Sequence, residues 1–273
     1  MNPTAGAPDG PPDAGLVRAA HADAWAQLAR ARPGGAVAEL PGVRLASSGL
    51  PHPQFNGADL VDPALADPGA VAAWFAGQGV PWAWRTPPGL SRPPGRLVVA
   101  QRLMAVRADG LRSAAPPAGA QLRSAGPEDL EDVVAVDVTA FGGAAGQARA
   151  WIAPHLAAGA VRAGVQVCLA RVDGRAVGTA YAVRSDGAAG PAVLLAGVGV
   201  VPDARGRGLG AALSSWLLAR AVAAGARLAH LQPDDERAAR VYARLGFAEV
   251  DGLEVRAPEE PAAGGGSGAG PGG

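Results

Sequence analysis

The chain has 273 residues, of which 49% are hydrophobic and 18% are charged. This composition is typical of a chain that folds around a core, and the length suits one large domain or two modest ones. The formal net charge is zero, so no overall field favours nucleic acid or a membrane surface as a partner. All 24 basic side chains are arginine, which excludes a lysine nucleophile, a Schiff base and the lysine of a P-loop.

Cys168 is the only cysteine, so no disulfide forms within the chain and a cytoplasmic setting is expected. Because it lies in an apolar run, we expect a packed structural thiol and not a reactive one. The N-terminal residues lack the charged-then-apolar pattern of a signal peptide, and no apolar run has the length of a membrane span. No metal site is predicted.

Two termini and one internal stretch lack any periodic apolar pattern. Residues 1–14 and 258–273 are rich in glycine, alanine and proline, which predicts a disordered lead and a disordered tail. Residues 114–120 contain only small residues and prolines, which predicts a linker. The expected domains are therefore residues 15–113 and residues 121–257.

The first domain gives mixed signals. A helix is predicted over residues 16–30, and short strands over residues 37–40 and 43–46. Asp67, which is followed by proline, is typical of a helix start, because aspartate caps the first turn and proline fits within it. Residues 97–106 predict an extended strand.

The second domain has a clearer order of elements. Helices are predicted over residues 130–141 and 147–158, where apolar residues recur at helical spacing. Strands are predicted over residues 165–172 and 176–183, joined by an Asp-Gly turn. A nearly continuous apolar strand over residues 192–201 ends at a proline, since proline cannot donate to the strand ladder.

The last third of the chain begins with a glycine-rich run, residues 205–210, which leads directly into a helix that ends before Gly225. A strand follows at residues 228–231 and a helix at residues 235–245. Two short strands, at residues 247–250 and 253–255, are predicted to close the domain.

The glycine-rich run is Arg205-Gly206-Arg207-Gly208-Leu209-Gly210. A helix N-terminus leaves several N–H groups without partners and carries a positive dipole end, which suits a pyrophosphate. Arg205 and Arg207 either add positive charge or lie solvated at the surface. A Walker P-loop requires lysine, which is absent. A dinucleotide fold requires Gly-x-Gly-x-x-Gly and an acidic residue ~20 positions later, and neither is present.

Residues 198–213 resemble the acetyl-CoA-binding motif of the GNAT superfamily, whose form Arg/Gln-x-x-Gly-x-Gly/Ala falls on Arg205, Gly208 and Gly210. Residues 235–247 resemble the family's second signature, Asn-x-x-Ala-x-x-x-Tyr-x-x-x-Gly-Phe. The resemblance implies an α/β (α+β) GNAT fold, in which a central mixed, mostly antiparallel sheet is flanked by helices. It also implies that the chain transfers the acetyl group of acetyl-CoA to a primary amine by direct attack. The order of elements in residues 15–113 resembles a degenerate second copy of this domain.

The same resemblance implies the site residues. Tyr242 matches the tyrosine that protonates the departing CoA thiolate; the alternative is a tyrosine that only packs on the inner face of its helix. The strand at residues 198–200 would receive the pantetheine arm as an added strand, and its N–H at Val200 would polarise the thioester carbonyl. The predicted cofactor-binding set is Val198, Gly199, Val200, Arg205, Gly206, Arg207, Gly208, Leu209, Gly210, Ala211 and Asp235.

Two departures from the family pattern leave alternatives open. Asp235 stands where the family has asparagine, and an N-cap is the alternative to a cofactor contact, because ionised aspartate does not donate. The strand at residues 192–201 lacks the glutamate that many relatives carry there, so the base is unassigned; His230 is the nearest by topology and His155 is weaker. The missing glutamate motivates a second hypothesis, a catalytically silent acyl-CoA-binding sensor or scaffold. The expected acceptor is a small-molecule or peptide amine, and the oligomeric state is open.

Overall fold

The computed structural model describes residues 10–90 and 95–258. Most of the predicted lead and tail lies outside the described residues. The helices are α1 (Ala14–Arg30), α2 (Pro68–Gln78), α3 (Leu130–Phe141), α4 (Ala145–Leu156), α5 (Leu209–Ala223) and α6 (Glu236–Arg244). The strands are β1 (Ala36–Leu40), β2 (Val43–Ser47), β3 (Asn56–Leu60), β4 (Ala83–Thr86), β5 (Arg96–Arg107), β6 (Ala120–Ser124), β7 (Val165–Val172), β8 (Arg175–Gly187), β9 (Gly190–Val200), β10 (Leu228–Leu231) and β11 (Ala248–Ala257).

The eleven strands of the described residues form one sheet, in the order β1-β2-β3-β4-β11-β5-β10-β9-β8-β7-β6. The pairs β3–β4 and β9–β10 are parallel, and the other pairs are antiparallel. This is the mixed, mostly antiparallel sheet that the sequence resemblance implied, and that prediction is confirmed.

The two halves of the chain repeat one pattern and exchange their last strands. Helix α2 connects the parallel pair β3–β4, and helix α5 connects the parallel pair β9–β10. Strand β5 of the first half pairs with β10 of the second, and strand β11 of the second half pairs with β4 of the first. Neither half therefore closes its own sheet. The division into domains at residues 114–120 stays a prediction.

Helices cover both faces of the sheet. Along β7, Val165 and Leu169 pack into a core with α1, α3 and α4, while Cys168 and Ala170 pack into a core with α5. This follows from the alternation of side chains along a strand. Burial raises the pKa of the Cys168 thiol to about 12, so the thiol stays protonated, as a structural cysteine does. No helix within residues 10–90 and 95–258 has the length and apolar character needed to cross a membrane.

The end of the chain differs from the prediction made from its sequence. In place of two short strands, β11 is continuous over Ala248–Ala257, with a register shift between Glu249 and Asp251. Strand β11 is paired on both edges, with β4 and β5. These partners lie more than 100 residues away in sequence, and local patterns carry no information about them.

Candidate active site

Strands β9 and β10 separate and leave a cleft between them. Their parallel pairing joins residues 192–194 to residues 228–230 and ends there, whereas β9 continues to Val200. Gly197 has a φ of +58° at the point where the register of β9 against β8 shifts. A Cβ at this position would lie 2.6 Å from the Tyr181 ring, so the bulge that opens the cleft requires glycine.

The backbone of β9 presents a free donor edge to this cleft. The Val201 N–H donates to the Val177 carbonyl on β8 at 3.0 Å. Because N–H groups alternate between the two edges of a strand, the Val200 N–H is directed to the opposite edge. At this position β10 no longer pairs with that edge. This donor can hydrogen-bond to a carbonyl oxygen placed in the cleft.

The glycine-rich loop lies at the start of α5. Gly208 is the N-cap residue with a φ of +87°, a conformation that glycine adopts without strain. The Arg205 guanidinium donates to the Val200 carbonyl at 2.9 Å and to the Ala140 carbonyl at 3.0 Å. Arg205 thus ties the loop to β9 and α3, and the helix N–H groups and dipole are left to attract an anion.

A groove of about 490 Å³ runs along this loop. Ten of the eleven predicted cofactor residues line it: Val198, Gly199, Val200, Arg205, Gly206, Gly208, Leu209, Gly210, Ala211 and Asp235. Arg207 is not among its lining residues, so the structure does not bring it to the others. Helix α6 adds Arg237, Arg240 and Arg244, which were not predicted. Their spacing of three and then four residues, on the helix that carries Tyr242, is the signal that could have revealed them.

The structure places Asp235 as the N-cap of α6. Its carboxylate accepts a hydrogen bond from the Ala238 N–H at 2.7 Å. The side chain therefore stabilises the helix that carries Tyr242, which is the alternative that the sequence left open.

Replacing Asp235 with alanine is expected to lower the free energy of unfolding by about 1 kcal/mol, because the first turn of α6 loses its cap. Asp235→Asn keeps an acceptor oxygen and is expected to stay within a few tenths of a kcal/mol of the parent. Urea unfolding of the three proteins measures the difference. Equal stability of the alanine and asparagine variants would contradict the capping role.

Tyr242 lies where this groove meets a second cavity. The residue is 9% exposed, and it lines both spaces. Burial raises the pKa of its phenol well above the ordinary value, and the neighbouring Asp234 charge raises it further. The hydroxyl therefore stays protonated at neutral pH and has a proton to donate.

The second cavity has a volume of about 360 Å³ and shares four residues with the groove: Phe141, Val198, Asp234 and Tyr242. Both halves of the chain contribute to its wall. The first half supplies His21, Trp25, Gln54, Phe55, Arg85 and Gln101. Aromatic rings form part of the wall, and Phe55 of the first half stacks on Trp151 of the second with ring centroids 4.2 Å apart.

Two carboxyl groups of this cavity were missed in the sequence. Burial raises the pKa of Asp137, on α3, and burial together with the Asp235 charge raises the pKa of Asp234. Asp234 is exposed overall, whereas Asp137 is half-buried. Neither residue belongs to a motif, and only the folded chain brings both to the cavity.

The two histidines considered as bases lie in the core. His230 is fully buried, neither ring nitrogen has a partner among the described residues, and burial lowers its pKa to about 4. Burial lowers the pKa of His155 to about 3. Neither side chain lines the groove or the cavity, so the structure gives no support to either histidine as the base.

Comparisons with known proteins agree with this geometry. Residues 136–247 match the family model described as "Acetyltransferase (GNAT) family". The fold resembles a GCN5-related N-acetyltransferase from Kribbella flavida, with a TM-score of 0.66 and 24% identity over 90% of this chain and 96% of that one. It also resembles a putative acetyltransferase of the GNAT family from Novosphingobium aromaticivorans DSM 12444, with a TM-score of 0.57 and 22% identity over 91% of this chain and 100% of that one.

A third solved structure is a tandem GNAT protein from the clavulanic acid biosynthesis pathway, with a TM-score of 0.55 and 19% identity over 84% of this chain and 86% of that one. No curated protein matches the chain. The sheet, the opened strand pair and the glycine loop define the class as the GNAT fold. Residues 136–247 match the model of the GNAT acetyltransferase family, and the resemblance seen in the sequence is confirmed.

Proposed function

We propose that the protein transfers the acetyl group of acetyl-CoA to a primary amine within a ternary complex. The observation that carries this proposal is the position of Tyr242, whose side chain lines both the groove beside the glycine loop and the cavity behind it. A donor in the groove and an acceptor in the cavity would meet at this residue. A cytoplasmic setting remains a prediction from the single, buried Cys168.

The groove suits a CoA thioester in two ways. Its glycine loop at the start of α5 offers N–H groups to a pyrophosphate, and the arginines of α6 add positive charge. The Val200 N–H faces the cleft where a thioester carbonyl would lie, and it would stabilise the oxyanion that forms on attack.

The proposed reaction needs one side chain that takes a proton from the acceptor amine and another that gives a proton to the leaving thiolate. The acceptor ammonium gives a proton to a carboxylate of the cavity, directly or through water, and we assign this role to Asp137. The neutral nitrogen then forms a bond to the carbonyl carbon. After the C–N bond forms, the nitrogen is positively charged and must lose a second proton. As the C–S bond breaks, the Tyr242 hydroxyl gives its proton to the leaving thiolate, and the phenolate takes up this second proton from the nitrogen. The first proton leaves Asp137 to solvent.

Two measurements on the purified chain test this function. Calorimetry with acetyl-CoA should show binding, and a thiol-release assay over a panel of primary amines should show turnover. Binding without thiol release from any amine would favour a sensor or scaffold. Absence of acetyl-CoA binding would contradict the assignment of the groove.

Two glycines at the ends of α5 distinguish a loss of acetyl-CoA binding in the groove from a general loss of stability. Gly208→Ala is expected to weaken acetyl-CoA binding at least tenfold, since alanine is strained at a φ of +87° and the loop must move. Gly225, at the other end of the helix, has a φ of +101° and open space around it. Gly225→Ala should carry a similar strain and leave acetyl-CoA affinity within twofold. Equal losses of affinity would show that the effect is one of folding.

Asp137→Asn is expected to lower kcat/KM for the amine by about 100-fold, because the amide cannot accept the proton. In the parent, kcat/KM should fall on acidification through a pKa above the usual 3.8 of aspartate, since this carboxyl must be ionised to act. The control is Glu131→Gln on the same helix, whose side chain lies outside the cavity. Steady-state kinetics across pH 5–8 would count against the role if Asp137→Asn matched the control.

A further inference from the structure

The acceptor cavity contains a buried guanidinium with an unused donor. Arg85, on β4, has a side chain that is 4% exposed, and it lines the cavity. Its Nη1 donates to Asp59 Oδ2 at 3.0 Å. Its Nη2 has no hydrogen-bond partner within the described part of the chain. A buried charged donor without a partner is costly, and it indicates that something else supplies the acceptor.

The guanidinium is held in a slot of fixed shape. Its carbon lies 4.1 Å from the centroid of the Trp25 ring. On β3, a Cβ at Gly57 would come within 2.2 Å of that carbon and 2.4 Å of Nη2. Glycine at position 57 therefore makes room for the guanidinium. A group that served only to neutralise Asp59 would not require its second nitrogen to be held in place.

A second donor lies on a nearby strand. The Gln101 Oε1 accepts from Gln232 Nε2 at 2.8 Å, so the NH₂ group of Gln101 is left to donate. Gln101 lines the same cavity as Arg85. A guanidinium N–H and an amide N–H are the donors that a carboxylate accepts.

The cavity also offers the opposite charge. Asp137 and Asp234 line it, and Asp234 does so next to Tyr242, at the junction with the groove. Aromatic rings line the same cavity, among them the stacked Phe55 and Trp151. A molecule that fits all three features carries an ammonium, a carboxylate and an apolar group.

We propose that the acceptor is a free amino acid with an apolar side chain, whose carboxylate is bound by the Arg85 Nη2 and whose amine is acetylated. This proposal rests on the proposed acetyl transfer. The cavity has a volume of about 360 Å³, which is within the usual range for pockets that bind one small molecule.

Matched pairs of acceptors test the carboxylate contact. The probes are L-phenylalanine against 2-phenylethylamine, and L-leucine against 3-methylbutylamine, each pair differing by one carboxylate. The thiol-release assay gives kcat/KM, and calorimetry with protein saturated with CoA gives Kd. We expect the amino acid of each pair to have a kcat/KM at least about 100-fold higher, since a site built around a polar group rejects the analogue that lacks it.

Two variants assign the preference to Arg85. Gly57→Ala displaces the guanidinium and keeps both charges of the Arg85–Asp59 pair. The double variant Arg85→Gln with Asp59→Asn removes both charges together, so no buried carboxylate is left unpaired. Both should reduce the preference for the amino acid to threefold or less. Gly77→Ala is the matched control, because open space surrounds Gly77 on α2, and it should keep the full preference. Acetyl-CoA affinity and thermal unfolding confirm that each variant is folded.

The outcomes separate this inference from the acetyl transfer itself. A parent protein that acetylates 2-phenylethylamine as well as phenylalanine overturns the inference and leaves the acetyl transfer standing. A preference that survives both variants overturns the role of Arg85. If acetyl-CoA binds and no amine releases thiol, the acetyl transfer is contradicted. In that case the Kd values from calorimetry still test the proposed carboxylate contact. The proposal is overturned if neither amino acid binds more tightly than the matched amine that lacks the carboxylate.

Discussion

Tyr242→Phe is expected to lower kcat by at least about 100-fold, because the leaving thiolate loses its proton donor. The KM for acetyl-CoA should stay within twofold, since the ring remains and only one hydroxyl is removed. The raised pKa of Tyr242 keeps the phenol neutral at working pH, so the parent enzyme always starts with the proton in place. Steady-state thiol release and single-turnover mixing measure the loss, and the latter separates the chemical step from product release.

The control for this prediction is the same change at the other tyrosine. Tyr181 lines the acceptor cavity but not the groove. Tyr181→Phe removes one hydroxyl and should leave kcat within a few-fold of the parent. If Tyr242→Phe kept the parental kcat, Tyr242 would be a packing residue on the inner face of α6, which is the alternative reading of its sequence position.

Acidification from pH 6.5 to pH 4.5 is expected to remove most of the stability of the fold. Burial lowers the pKa of His155 to about 3 and of His230 to about 4, and burial together with the Arg85 charge lowers the pKa of His21 well below its usual 6.5. The unfolded chain binds protons at these groups below 6.5, whereas the folded chain does not. Stability is therefore present above pH 6.5 and is lost as the pH falls toward the lowered values, by about 1.4 kcal/mol per pH unit for each histidine.

Over this interval His155 and His230 each contribute a loss of about 2 kcal/mol, roughly 4 kcal/mol together, and His21 acts in the same direction. This loss is a large part of the stability of a typical domain. The raised pKa values of Asp59 and Asp137 act in the opposite direction and offset part of this loss. Paired carboxylates such as Asp129, whose pKa is lowered by Arg123, lose their contribution only below about 3.8, outside this window.

Urea unfolding at half-unit pH steps measures this slope. His155→Phe replaces one buried imidazole that packs against Trp151 and Tyr181 with a ring that takes up no proton. The variant should lose about 2 kcal/mol less than the parent between pH 6.5 and pH 4.5. Its stability at pH 7.5 serves as the reference for any change in packing. A pH dependence equal to that of the parent would show that His155 does not titrate on unfolding in this range.

The parts of the groove that local chemistry encodes could be predicted from the amino-acid sequence. The run from Arg205 to Gly210 could be interpreted because a glycine loop, a preceding apolar strand and a following helix lie next to one another in the chain. The helical spacing that begins at Asp235 likewise placed Tyr242 on one face of α6. Helices α1, α2 and α3 followed from caps and apolar periodicity, since these interactions act within a few residues.

The cavity into which the groove opens could not be predicted, because it is formed by contacts between distant parts of the chain. The cavity behind Tyr242 takes Arg85 from β4 and Asp137 from α3, and no motif links two residues so far apart in sequence. The exchange of β5 and β11 between the halves could not be predicted either. The partner of a strand depends on tertiary packing and not on the strand's own sequence. The loop and its helix are thus encoded locally, whereas the cavity behind Tyr242 forms only once both halves share one sheet.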